Sequence, residues 1–159
     1  EMLVVSELDD SPATALQRAR EALDSGRAAE VFGKMVSVLG GPSDFVEKHE
    51  SHLETAAMSA TVEAPEAGYV SAISTRDVGI AVVELGGGRR RPEDKIDHAV
   101  GLTGLVDIGT KLEKGDPIAT VHAQDDAGLK AARDHVLAAY TISGDAPEVA
   151  EPIAERILG

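Results

Sequence analysis

The run Thr75-Arg76-Asp77-Val78-Gly79-Ile80-Ala81-Val82-Val83-Glu84-Leu85 decides the fold class. Its centre, Ile80 to Val83, favours a strand, yet Val78, Val82 and Leu85 recur at helical spacing. A strand here would make the middle of the chain wholly β; a helix makes it α+β. The spacing predicts a helix over 75–85. The next stretch, Gly86-Gly87-Gly88-Arg89-Arg90-Arg91-Pro92, is predicted to be loop, because three consecutive glycines cost too much backbone entropy inside an element.

On either side of this helix the texture is β. Thr61 to Pro65 and Gly68 to Ile73 read as two short strands around a Pro-Glu-Ala-Gly turn. Ala99 to Leu102, Leu105 to Ile108 and Pro117 to His122 are apolar stretches punctuated by Gly101, Gly104, Gly109 and Gly115, the spacing of a small all-β unit. Asp125 opens a helix to about Ala139 with Leu129, Ala132, His135, Val136 and Ala139 on one face, and a tail containing Ile153, Ile157 and Leu158 closes the chain, its last residues expected to be disordered. Upstream the texture is helical. Ser11-Pro12 is a start signal for a helix carrying Leu16, Ala19 and Leu23 and ending at Gly26. A second helix aligns Ala28, Phe32, Met35, Val36 and Leu39 before Gly40-Gly41-Pro42, and Ser43 is placed to cap a short third helix through Glu47. Phe32 and Met35 are expected in a helix–helix core. Such a segment alone leaves an apolar face open, as an element of a larger body does.

Composition bounds the function. The chain has 159 residues, 28 Asp and Glu against 15 Lys and Arg, and a net charge of −13. That balance repels phosphate backbones and anionic headgroups, so neither nucleic acid nor membrane is an expected partner. With 43% hydrophobic residues but only 3% aromatic ones, the core is expected from Val, Ile, Leu and Ala. The absence of Cys removes disulfides, thiol nucleophiles and thiolate metal sites and makes the cytoplasm the expected location. The first residue is Glu1 rather than Met, which reads as a processed, proteolysed or truncated product.

The Gly/Arg loop is the most conspicuous chemical feature: glycines let backbone N–H groups approach a ligand, and guanidinium groups bind phosphate through paired hydrogen bonds. An exposed, solubilising loop is the other reading of the same residues. No Gly-Lys-Ser/Thr comes after it, and the glycine spacing is not that of a dinucleotide fingerprint. His49 and His52 can share a helical face with Glu47 or Glu50, while His98, His122 and His135 are scattered, so no metal site or cofactor is predicted. No nucleophile elbow or marked carboxylate pair completes a catalytic machine.

Two resemblances go further. Ala64 to Val70 and Ile108 to Ile118 resemble the half-motifs of the barrel-sandwich fold of biotinyl and lipoyl carriers, and Glu93-Asp94-Lys95-Ile96 resembles the lipoylated Asp-Lys-Ala. The order of lysine and half-motifs is reversed from that of carriers, so the fold resemblance is kept and a stand-alone binding or carrier module without catalysis stays as the alternative function. More specifically, Ser25 to Val36, Thr75 to Arg89 and Asp94 to Leu102, above all Gly-Gly-Gly-Arg before Ile-Asp-x-x-Val-Gly, resemble the C-terminal part of the thymidine and pyrimidine-nucleoside phosphorylases. The resemblance runs from Glu1 to at least Ala139.

That second resemblance implies a dimeric pentosyltransferase that cleaves thymidine or deoxyuridine with phosphate, without a cofactor, to the base and 2-deoxyribose 1-phosphate. It implies that residues 1–56 are a helical remainder of a large α/β domain. Residues 57–159 are then an α/β hammerhead domain with a barrel-sandwich-like antiparallel core and a terminal helix. The family's phosphate-binding Lys-His-Ser and Gly-rich segments and its base-binding Arg, Ser and Lys fall upstream of the matched stretches, so no catalytic residue carries over and the chain alone is expected to be inactive. Arg89, Arg90 and Arg91 are the candidate substrate-facing residues of a cleft loop, with Gly86, Gly87 and Gly88 as its hinge.

Overall fold

The computed structural model describes residues 1–150, 152, 153, 155 and 157. They form two units, Glu1–Leu53 and Glu54–Gly159; part of the expected disordered tail lies outside the described residues.

The first unit holds helices α1 (Met2–Val5), α2 (Pro12–Asp24), α3 (Arg27–Val38) and α4 (Phe45–His52). Ser11 caps α2 by accepting the Thr14 N–H at 3.3 Å, with Pro12 in the first turn. Gly26, at φ +79°, turns the chain from α2 into α3. The third predicted helix starts later and runs further than expected. Its cap position is Asp44, not Ser43; the backbone kinks at Lys48 (φ −131°, ψ 29°), just past the expected end at Glu47, and a further turn reaches His52. The Asp44 carboxylate ties the turn beyond the kink back to the start of the helix, accepting from Lys48 Nζ at 3.0 Å and His52 Nε2 at 2.8 Å, and these two partners hold its pKa below the ordinary value. The expected helix–helix core does not close. Phe32 meets Phe45 with ring centroids 6.1 Å apart, but Phe32 and Met35 remain 45% and 49% exposed, and Leu16 and Leu23 are exposed too. Ala22, Ala28, Val31, Phe32 and Met35, rimmed by Arg18 and Arg27, line an open cavity of about 550 Å³.

The second unit runs β1 (Met58–Glu63), β2 (Gly68–Ile73), α5 (Thr75–Leu85), β3 (Gly101–Thr103), β4 (Lys111–Leu112), β5 (Pro117–Ala123), α6 (Asp126–Ala139) and β6 (Tyr140–Ser143). It is α+β, with two antiparallel three-stranded sheets ordered β1-β5-β3 and β4-β2-β6. The turn after β1 therefore does not make a hairpin; it carries the chain from one sheet to the other. Backbone bonds clamp that crossing: Ala64 N–H to Asp116 O at 2.8 Å, Gly115 N–H to Ala64 O at 2.9 Å, and Gly109 N–H to Val70 O at 2.8 Å. The helix over 75–85 forms as its spacing predicts, and α6 starts behind Asp125, whose Oδ1 accepts the Gly128 N–H at 2.7 Å.

Three short elements differ from the sequence reading, the first being β4 (Lys111–Leu112), which lies outside every expected β stretch. Leu105 to Ile108 is not a strand: Gly104 and Gly109 both have positive φ, and the segment keeps one ladder-like bond, Val106 N–H to Ile118 O at 3.0 Å. Tyr140–Ser143, read as tail, is a strand that covers β2, with Tyr69 opposite Ser143 and Ile73 opposite Tyr140. The core is aliphatic, as composition requires: Val62, Val70, Ile118, Val121 and Val136 have no more than 1% exposure, with Ala132 and Ala139 of α6 beside them. Tyr140 closes it, donating its hydroxyl to Val106 O at 3.1 Å, and burial raises its phenol pKa.

Candidate functional site

Helix α5 sets where the Gly/Arg loop begins. Ala81 is fully buried and Val78 and Leu85 pack against the core, so one face of α5 is fixed. The helix ends at Gly86, whose φ of +97° belongs to the left-handed region that side chains disfavour. Gly86 N–H bonds Val83 O at 3.1 Å and Gly87 N–H bonds Val82 O at 3.0 Å, satisfying the last carbonyls. The next glycines are needed for close approach: a Cβ on Gly87 would lie 2.9 Å from Val82 Cγ1, and one on Gly88 2.7 Å from Val83 Cγ2.

Beyond the glycines, carboxylates rather than arginines shape the backbone. Asp94 N–H returns to Arg91 O at 3.1 Å, closing a turn through Pro92. Asp94 Oδ2 in turn accepts the N–H groups of Arg90 and Arg91 at 3.0 and 2.9 Å. Asp97 N–H bonds Gly86 O at 2.9 Å, so the loop is tied across its base. Asp97 Oδ1 accepts Ala99 N–H at 2.9 Å, and Oδ2 accepts Gln124 Nε2 at 2.8 Å while Gln124 Oε1 takes the Ala57 N–H at 3.1 Å. The Gln124 bond, then that of Ala99, holds the Asp97 carboxyl below its ordinary pKa.

Stability of this tie depends on pH in one direction only. Because the folded value lies below the unfolded one near 3.8, the stabilisation from Asp97 is complete above that value and is lost as pH falls through the lower, folded one. Acidifying from pH 6 to pH 3 is therefore expected to lower the protection factors of the Ala99 and Asp97 amides, after the intrinsic slowing of exchange by acid is divided out. In Asp97→Asn the added response disappears. Equal added responses in the two chains would show that Asp97 does not tie the loop.

The three arginines lie together on the exposed part of the loop, but their surroundings differ. Arg90 reaches back to α5, its guanidinium 3.1 Å from Glu84 Oε1, and the other Glu84 oxygen is 2.6 Å from His135 Nε2 of α6. Among the described residues, the side chains of Arg89 and Arg91 make no hydrogen bond or ion pair. The sequence reading gave a role in the loop to the glycines and arginines but none to Glu84, Asp94, Asp97, Gln124 or His135. Only Asp94 carried a readable signal, as the acid closing an Arg-Pro-Glu-Asp turn.

The remaining candidates do not converge. His52 serves Asp44, His122 Nε2 lies 2.8 Å from Thr103 Oγ1, and His135 serves Glu84. Among the described residues no group of three or more His, Asp or Glu is placed to hold a metal ion, and no helix is long and apolar enough to cross a membrane. Lys95 is exposed in the irregular segment after the Asp94 turn, not at the tip of a hairpin.

Residues 69–143 match the family model of the pyrimidine nucleoside phosphorylase C-terminal domain. The chain is 48% identical over 157 residues to thymidine phosphorylase of Sinorhizobium fredii, and 48% identical over 158 residues to those of Mesorhizobium japonicum and Sinorhizobium medicae. Each alignment covers 99% of this chain and 36% of the relative, so the chain spans about a third of the length of the curated relatives it matches. These matches do not favour the carrier alternative. Along nearly its whole length the chain is thus similar to the C-terminal third of thymidine phosphorylases, and its residues 69–143 match the C-terminal domain of the pyrimidine nucleoside phosphorylase family.

Proposed function

We propose that this chain is the C-terminal portion of a pentosyltransferase acting on thymidine or deoxyuridine. In that reaction the bond from the sugar C1′ to the pyrimidine nitrogen breaks, a phosphate oxygen bonds C1′, and the base leaves with the electron pair. The observation that carries the reading is 48% identity along 99% of the chain to thymidine phosphorylases. We read residues 1–56 as part of the large α/β domain and 57–159 as its hammerhead domain with a barrel-sandwich core, in a cytoplasmic homodimer that binds no nucleic acid. The apolar surface around Phe32 and Met35 supports the first assignment, and the paired three-stranded sheets support the second.

Phosphorolysis needs donors aimed at both phosphate and base. The described residues contain one concentration of cationic donors, Arg89, Arg90 and Arg91, so the 159 residues alone are inactive in this reading. In the intact enzyme the loop stands at the cleft mouth, pivots about Gly86, Gly87 and Gly88, and draws phosphate in or secures the closed form. Replacing all three arginines by Ala in the full-length enzyme is expected to raise KM for phosphate about tenfold, the effect of losing one or two charge-assisted hydrogen bonds. Unchanged kcat and KM would reduce the loop to a connector.

A further inference from the structure

We propose that the three arginines have two different jobs: Arg90 is a latch that Glu84 holds against the body of the domain, and Arg89 and Arg91 are the pair left to meet an oxyanion of the phosphate class. The assignment of Arg89 and Arg91 rests on the anion reading of the loop given above; the latch does not.

Three observations carry it. The Arg90 guanidinium sits 3.1 Å from Glu84 Oε1, so one of three adjacent cations is already partnered. Glu84 is itself fixed from the other side, with Oε2 2.6 Å from His135 Nε2, so the latch joins the loop to both α5 and α6. The backbone is set to match: Asp94 Oδ2 gathers the N–H groups of both Arg90 and Arg91. An anion competing for Arg90 must displace a carboxylate; at Arg89 and Arg91 it displaces only water. A free loop would need ordering at each encounter, whereas a latched one presents its two open guanidinium groups in advance. The Arg90 side chain is 66% exposed, so the latch is weak enough to open.

Trypsin reads the latch in the 159-residue chain, since it cuts after Arg89 and Arg90 while Pro92 protects the bond after Arg91. Glu84→Ala is expected to be cut in the loop about three to five times faster than the unmodified chain. Arg90→Gln is expected to accelerate cutting at the bond after Arg89, and adding it to Glu84→Ala gives no further acceleration there, because the Arg90–Glu84 contact is already gone. Should Glu84→Ala loosen α5, Arg90→Gln lies outside every helix and carries the test. Inorganic phosphate is expected to shift the NMR signals of the Arg89 and Arg91 Nε–H groups and to leave that of Arg90 in place. Cutting of Arg90→Gln at the unmodified rate, or an Arg90 signal that responds to phosphate as strongly as its neighbours, overturns the latch. Faster cutting with none of the three signals responding to phosphate keeps the latch and overturns the role of Arg89 and Arg91, and the anion reading with it.

Discussion

Gly68→Ala is expected to lower the stability of the chain by about 3 to 5 kcal/mol, the strain of a side chain at a disfavoured φ added to that of an overpacked contact. Gly68 begins β2 at φ +157°, and a Cβ there would lie 2.5 Å from Ser143 O and 2.7 Å from Ile142 Cγ2. The first of these neighbours is backbone and cannot rotate away. Relief requires β6 to draw back from β2, which breaks the pairing of Tyr69 with Ser143 and of Val70 with Ile142. Urea unfolding monitored by circular dichroism measures the loss, and Gly79→Ala is the control. Gly79 lies inside α5 with nothing within 4 Å of its Cβ position, so that change is expected to stabilise by up to about 1 kcal/mol through helix propensity. A loss below about 1 kcal/mol for Gly68→Ala would mean that β6 does not lie where the structure places it.

Ile118→Ala is expected to cost about 2 to 5 kcal/mol, against about 0.5 to 1.5 kcal/mol for Ile118→Val. Ile118 is fully buried at the junction of the two sheets: its strand pairs with β1, and its carbonyl accepts from Val106 beside the Tyr140 contact. With so few aromatic side chains in the core, no large neighbour can swing in to fill the void, which places the loss in the upper half of the range. Comparable losses for the two substitutions would show that the site relaxes and that packing around Ile118 is not rigid.

The parts of this architecture legible in the sequence are those governed by neighbours in the chain. Val78, Val82 and Leu85 carry helical spacing, and Ser11-Pro12 and Asp125 are local capping signals; α2, α5 and α6 start where these indicate. Tyr140–Ser143 was not legible, because no breaker separates it from α6 and its partner strand lies far upstream. Leu105 to Ile108 has the composition of a strand, but positive φ at Gly104 and Gly109 turns the backbone out of the ladder. The candidate site divides the same way. The run of glycines and arginines is conspicuous by composition, whereas Glu84, Asp97 and Gln124 matter only through what lies across from them in space, and nothing distinguishes Glu84 or Asp97 from the other members of a set of 28 acids.

The interleaving of the two sheets has a consequence for how the chain acquires its structure. Every strand pairing in the C-terminal unit is non-local: β1 waits for β5, and β2 for β4 and then β6. Loop closure must precede each reward, which places the unit among slow folders for its size. On the ribosome, Gly68–Ile73 emerges as an unpaired edge and gains its last partner only after residue 143 has been made. Nascent chains spend that interval with an apolar strand exposed, which makes the yield of this domain sensitive to synthesis rate and chaperone access.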